Sequence, residues 1–155
     1  MEEKYLLSVC GKQYVNEGED QVDLQTSASY VLKGTTRYIS YKEYDPRNPE
    51  VHHRTTVKVD ENNVVTVIKG GEISHNLILE EGQRHRCEYR TPYGNMSLGI
   101  YTERVNINLN DNGGSVSVRY NIDIENELVS TNELTLNIEE AKGNVNSTGN
   151  SAEAE

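Results

Sequence analysis

The sequence of 155 residues contains no phenylalanine and no tryptophan. Its ten tyrosines are therefore the only aromatic residues, and each large ring in the interior brings a hydroxyl group that needs a hydrogen-bond partner. Aliphatic packing must come from valine, isoleucine and leucine. The two cysteines, Cys10 and Cys87, are too few for a typical secreted disulfide scaffold and fit a reducing cytosol better.

Positive charge is also scarce, because 15 lysine and arginine residues stand against 25 aspartate and glutamate residues. The net charge of −10 repels the phosphate backbone of nucleic acids and the surface of anionic membranes. No apolar run approaches the roughly 20 residues of a membrane helix, and the acidic N-terminus does not resemble a signal peptide. We therefore expect a cytoplasmic protein with no nucleic-acid partner and no membrane partner.

A helical period is missing as well, since the dominant period of the apolar residues is two. Val116, Val118 and Tyr120 alternate with polar residues, which is typical of a strand that buries one face. Between residues 95 and 109 this alternation slips near Glu103. The slip predicts a bulge or a bend in that strand.

Turn-forming residues separate the alternating runs at short intervals. The segments from Asp45 to Pro49 and from Asp111 to Gly114 are both predicted to be turns. The predicted strands are residues 4–15, 20–33, 36–44, 52–60, 63–69, 72–80, 84–91, 95–109, 114–125 and 128–139.

A long run of consecutive antiparallel strands can remove its exposed edges by closing into a barrel. We therefore predict an all-β fold, a single antiparallel up-and-down β-barrel of about 8–10 strands, over residues 1–142. A sandwich of two sheets is the structural alternative. Residues 143–155 form a polar low-complexity tail, which we expect to be disordered because it contributes almost no apolar surface.

Several segments occur in a characteristic order. "RYISYKE" (37–43) precedes "RTTVKV" (54–59), and "LILEEGQRHRCEYRTPYGN" (77–95) precedes "LGIYTERV" (98–105). In order and spacing they resemble the YwiB-like family of bacterial calycin-type β-barrel proteins, a domain-of-unknown-function family. The resemblance implies a closed or nearly closed, lipocalin-like barrel, and it implies no catalytic residue. Lys69 stands where the family pattern is expected to have arginine.

The histidines and cysteines do not form a recognisable chemical site. His52 and His53 are adjacent, so on a strand they point to opposite faces, and His75 lies on a different segment. His85 is two residues from Cys87, roughly 7 Å along a strand, which is too far for a direct hydrogen bond. We predict no catalytic residue, no metal site and no cofactor, and therefore a protein that is not an enzyme.

The basic segment "RHRCEYR" is the most distinctive in this acidic chain. Strand alternation places Arg84, Arg86 and Arg90 on one face and the less polar side chains on the other. If the arginines point outward, they pair with acids such as Glu80 or Glu103 on neighbouring strands. If they point inward, they form an anion site in the lumen.

These observations predict a binding protein without catalytic activity. The predicted ligand is a small anionic or amphipathic molecule held in the lumen of the barrel. The alternative is a structural or protein-interaction module whose barrel is filled by side chains. The oligomeric state is left open, a homodimer included. The candidate ligand-binding residues are Arg86, Arg90, Tyr38, Tyr41, Thr56, Lys58 and Tyr89.

Overall fold

The computed structural model describes residues 4–45, 47–70 and 74–141, and all regular elements in them are β-strands. The predicted tail, residues 143–155, lies outside these residues. The strands are β1 (Tyr5–Val15), β2 (Gly18–Lys33), β3 (Thr36–Asp45), β4 (Asn48–Val59), β5 (Val65–Lys69), β6 (His75–Leu79), β7 (Arg84–Thr91), β8 (Gly94–Asn110), β9 (Gly113–Ile124) and β10 (Glu127–Glu140).

The strands form one sheet in the order β6-β5-β4-β3-β2-β1-β10-β9-β8-β7. Every neighbouring pair is antiparallel, and β1 pairs with β10 over ten residues, from Tyr5↔Glu140 to Tyr14↔Thr131. The ring is incomplete between β6 and β7, where one backbone bridge, Ser74↔Arg90, joins the described residues. This confirms the predicted up-and-down barrel, which is nearly closed, and the two-sheet alternative is not observed.

Apolar side chains fill the inner face of the barrel. Strand alternation turns every second residue inward, and residues paired across a ladder share a face. For example, Leu7 pairs with Ile138, and the two side chains are 1% and 3% exposed. The buried apolar residues are Leu7, Ala28, Tyr30, Ile39, Tyr41, Val57, Val59, Val65, Val67, Leu77, Leu79, Cys87, Leu98, Ile100, Val116, Val118, Leu136 and Ile138.

The predicted irregularity in β8 is present. The register between β8 and β9 shifts between Thr102 and Arg104, so Glu103 is the extra residue of a bulge. The bulge keeps both apolar halves of this long strand on the inner face, because Thr102 still faces inward before it and Val105 faces inward after it.

The turn between β8 and β9 closes one end of the barrel, which we call the closed end. The hydroxyl of Tyr30 donates to the carbonyl oxygen of Asn110 at 2.6 Å. Arg37 donates to the same oxygen at 3.3 Å and to Asp111 at 3.2 Å. These bonds cross from β2 and β3 to a turn on the opposite wall.

At the other end, which we call the open end, β2 and β3 no longer pair with each other. Their ladder runs only from Lys33↔Thr36 to Ala28↔Tyr41. Beyond it, β2 continues to pair with β1 alone as far as Gly18. The rest of β3 pairs with β4 alone.

Two predicted turns are wrong in their limits. β4 already begins at Asn48, so the turn after β3 is shorter than the predicted segment from Asp45 to Pro49. The turn between β8 and β9 consists of Asp111 and Asn112, whereas Gly113 and Gly114 belong to β9. The two glycines have φ angles of 130° and 132°, and a Cβ atom at Gly114 would overlap the carbonyl oxygen of Asn108. They are needed for close backbone packing and not for the turn itself.

We predict that Gly114→Ala lowers the free energy of unfolding by about 2 kcal/mol or more, because alanine must adopt a strained φ against a backbone atom. Gly11→Ala is the matched control, since a Cβ atom at Gly11 has no neighbour within 4 Å. Urea denaturation followed by circular dichroism measures both variants. Equal losses of stability in the two variants would contradict this account.

Candidate functional site

A row of inward-facing side chains crosses five strands near the open end. The ladders pair Tyr41 with Thr55, Thr55 with Lys69, and Lys69 with His75. Across the gap, the ring of His75 stacks on the ring of Tyr89, with centroids 4.7 Å apart and planes 16° apart. The row therefore runs without interruption from β3 to β7.

Glu43, one inward position beyond Tyr41 on β3, completes the site. Its Oε1 atom accepts a hydrogen bond from the hydroxyl of Thr55 at 2.8 Å and lies 3.4 Å from Nζ of Lys69. Thr55 is fully buried, whereas about a third of the Lys69 side chain reaches solvent. We call the set Tyr41, Glu43, Thr55, Lys69, His75 and Tyr89 the lumen cluster.

His75 carries no charge near neutral pH. Burial, together with the positive charge of Lys69, lowers the pKa of His75 to about 4, and the charge of Glu43 only partly offsets this. Its Nδ1 atom is buried and has no hydrogen-bond partner among the described residues. Such an atom is uncommon in a folded protein and leaves a polar group ready for a ligand or a water molecule.

Two tyrosines of the lumen, Tyr41 and Tyr120, keep their protons and can donate hydrogen bonds. Burial, and then the charge of Glu43, raises the pKa of Tyr41 well above its usual range. Burial also raises the pKa of Tyr120 to about 12, beside Cys87 and Tyr89. The wall at this level thus combines one ion pair, one neutral imidazole and several neutral hydroxyl groups.

The question of how β7 faces is settled by burial. Cys87 is 2% exposed and faces inward, whereas Arg84, Arg86 and Arg90 are exposed on the outer face. The hypothesis that places Arg86 and Arg90 in the lumen is therefore wrong. The reason is packing, because the partner of Cys87 across the ladder is the buried Leu98.

The outward arginines do not take the expected partners. Arg84 forms two hydrogen bonds to Asp123, at 2.7 and 3.1 Å, and crosses over Gly99 to reach it. A Cβ atom at Gly99 would overlap the guanidinium group of Arg84. Two acids were expected to pair with these arginines. One of them, Glu80, contacts His85 at 2.9 Å instead. The other, Glu103, contacts an arginine of β9.

The remaining candidates lie outside the barrel. Tyr38 and Lys58 are paired across the β3–β4 ladder on the outer face, with Nζ of Lys58 5.7 Å from the ring centroid. Thr56 contacts Ser40 on that face, with 3.4 Å between the hydroxyl oxygens. Of the seven predicted ligand-binding residues, the structure brings only Tyr41 and Tyr89 to the lumen.

Sequence reasoning did not identify four members of the lumen cluster, namely Glu43, Thr55, Lys69 and His75. Each occupies a strand position that alternation turns inward. Alternation alone, however, does not show which polar residues of different strands lie side by side in the barrel. The signal would have been the ladder registers, which depend on turns that the sequence defines only to within a few residues.

The described residues contain no group of three or more histidine, cysteine, aspartate or glutamate side chains placed to hold a metal ion. They also contain no helix with the length and apolar character of a bilayer span. Cys10 and Cys87 are free thiols, one half-buried on β1 and one buried on β7.

Fold and sequence together define the class of protein. Residues 7–136 match the model of the family described as "Domain of unknown function (DUF1934)", and the chain belongs to this family. It is thus a β-barrel protein of a family whose function is not known. It is similar to the "Uncharacterized beta-barrel protein YwiB" of Bacillus subtilis (strain 168), with 23% identity over 121 residues, which cover 78% of this chain and 82% of YwiB.

A solved structure shows the same fold. The crystal structure of ywiB protein from Bacillus subtilis matches with a TM-score of 0.77 at 21% sequence identity and covers 88% of this chain and 90% of that chain. The family match and these two likenesses confirm the resemblance to the YwiB-like family. At this identity the structural match speaks for the fold alone.

The depressed pKa of His75 predicts a pH dependence of stability. The unfolded chain binds this proton near pH 6.5, but the folded protein binds it only near pH 4. Between these values the unfolded state holds more protons, so stability falls as the pH is lowered through this window. We predict that His75→Phe reduces this fall, because phenylalanine cannot take up a proton.

The measurement is the free energy of unfolding as a function of pH. His52→Gln, which removes an exposed histidine, is the control and should retain the fall seen in the unchanged protein. Nuclear magnetic resonance titration of the His75 ring gives the pKa directly, and a value near 6.5 would refute the prediction.

Proposed function

We propose that this protein is a non-catalytic binding barrel whose open end receives a small amphipathic ligand. The observation that carries the proposal is the buried, unpartnered Nδ1 atom of His75 within a polar cluster on the lumen wall. Ligand sites are typically concave and mostly apolar, with a few convergent polar groups, and the lumen cluster has this composition.

The polar part of the ligand would contact the lumen cluster. Lys69 offers a positive charge, but Glu43 lies 3.4 Å away, so the cluster is balanced and not strongly anion-selective. The hydroxyl groups of Tyr41 and Tyr89, with the imidazole of His75, add neutral donors and acceptors. A head group that bears a partial or single negative charge together with hydrogen-bonding atoms suits this set.

The apolar part of the ligand would contact the wall nearer to solvent. Val22 pairs with Gly11, and Met96 pairs with Tyr89, so both side chains face inward. They nevertheless remain 70% and 49% exposed. Inward-facing apolar side chains that stay exposed at the open end provide a surface that an apolar ligand group would remove from water.

A side-chain-filled barrel that serves as an interaction module is the second candidate. The buried apolar residues that extend from the lumen cluster to the closed end favour it. Under this alternative the exposed apolar side chains at the open end contact another protein, a second copy in a homodimer included. Analytical ultracentrifugation over a range of concentrations tests self-association directly. We also propose a cytoplasmic location, which the two free thiols support.

The ligand hypothesis predicts saturable binding of 1-anilinonaphthalene-8-sulfonate, an amphipathic anion, with a rise in its fluorescence. Lys69→Gln should weaken binding on the order of tenfold, because it removes an attractive charge and leaves Glu43 unpaired. Lys58→Gln is the matched control on the adjacent strand, since Lys58 faces outward, and it should leave binding unchanged. A signal that does not saturate, or equal losses in both variants, would count against the lumen site.

A further inference from the structure

A groove lies on the outer surface over the gap between β6 and β7, and we call it the seam groove. The backbone bridge Ser74↔Arg90 marks its end nearer the open end of the barrel, and no ladder register continues from that bridge along the described strands. The groove encloses about 270 Å³. It is lined by Ser74, which precedes β6, by His75, Asn76 and Ile78 of β6, and by Arg86, Glu88 and Arg90 of β7.

The seam groove holds positive charge that no described residue neutralises in an ion pair. Among the described residues, neither Arg86 nor Arg90 has a carboxylate within ion-pair distance. Arg86 donates only to the hydroxyl of Ser97, at 3.3 Å. By contrast, the neighbouring Arg84 is held by two hydrogen bonds to Asp123. In a chain with a net charge of −10, two arginines on one face of a strand without acid partners among the described residues are a local exception.

The opposing charge within the groove is smaller. Glu88 lies between the two arginines on β7, roughly 7 Å along the strand from each, so it does not pair closely with either. The two guanidinium groups thus outweigh one carboxylate. Glu88 would disfavour ligands that carry negative charge along their whole length and would leave room for a single anionic group.

Neutral donors face the arginines from the other side of the gap. The side chains of Ser74 and Asn76 line the β6 wall. Asn76 pairs with Ile68 of β5, but no ladder joins it to β7, so this side of β6 is a strand edge. Guanidinium groups, hydroxyl and amide donors and strand edges are the groups that bind carboxylate and phosphate oxygens in proteins.

We propose that the seam groove is a second binding site, which takes the carboxylate or phosphate group of a small molecule. Arg86 and Arg90 supply the charged hydrogen-bond donors, and Ser74 and Asn76 supply neutral ones. The volume suits one anionic group with a short extension. The two arginines lie on the outer face of the barrel and are not part of the proposed lumen site, although His75 borders both sites.

The test is a titration of the full-length protein with sodium phosphate and, separately, with sodium acetate at constant ionic strength. Two-dimensional ¹H–¹⁵N spectra should show saturable shifts of the amides of Ser74 and Asn76, with a Kd of about 1 mM or tighter for at least one anion. Arg86→Gln and Arg90→Gln should each weaken binding about fivefold or more. Arg104→Gln, at an exposed arginine of β8, is the matched control and should change nothing.

The two titrations distinguish a phosphate ligand from a carboxylate ligand. Saturation by phosphate alone or by acetate alone supports the site and assigns its head group, and saturation by both supports a general anion site. Absence of saturation by either anion in the unchanged protein overturns the proposal. An equal effect of Arg104→Gln also overturns it, because the binding would then reflect overall charge and not the groove. Circular dichroism confirms that each variant is folded before it is titrated.

Discussion

The ladder between β1 and β10 is the constraint on which the rest of the structure depends. Ten consecutive antiparallel strands leave the first and the last as free edges, and a full ladder from Tyr5↔Glu140 to Tyr14↔Thr131 removes both. Once the ends of the chain are joined, each strand has one inner and one outer face. The break in the ring falls in the middle of the chain, between β6 and β7, and β6 is one of the two shortest strands, with five residues like β5.

Closure also explains why polar residues from five strands meet at one level. Each antiparallel ladder aligns an inward residue with one on the next strand, so that Tyr41, Thr55, Lys69 and His75 lie side by side. The stacked rings of His75 and Tyr89 continue this row across the gap, where the ladder is interrupted. In an open sheet this row would be a solvated stripe. In a nearly closed barrel it lines a concavity, and burial shifts the pKa values of its members.

Much of this fold is visible in the sequence, because alternation is a local signal. The strands, their meander order and the bulge near Glu103 follow from period two and its interruption. The limits of the turns do not follow from this alternation. Gly113 and Gly114 have turn-like composition, but they lie in β9, where they allow neighbouring backbones to approach closely. The site depends on register, a long-range property. Arg84 reaches Asp123 across Gly99, a contact that requires three strands to be aligned and that no single segment reveals.

At the gap between β6 and β7, the inner and the outer face of the wall carry different chemical groups. A continuous sheet would also keep these groups on opposite faces, but it would leave less room between the strands. Alternate residues of β7 serve different compartments, since Tyr89 stacks on His75 inside and Arg90 lines the groove outside. The bridge between Ser74 and Arg90 is made by backbone atoms, with N–O distances of 3.0 and 2.9 Å. A change in the side chain of Arg90 therefore leaves the bonds that hold the gap together. Substitution of either groove arginine therefore alters the outer groove and leaves these bonds in place, whereas a change at His75 affects both the groove and the lumen cluster.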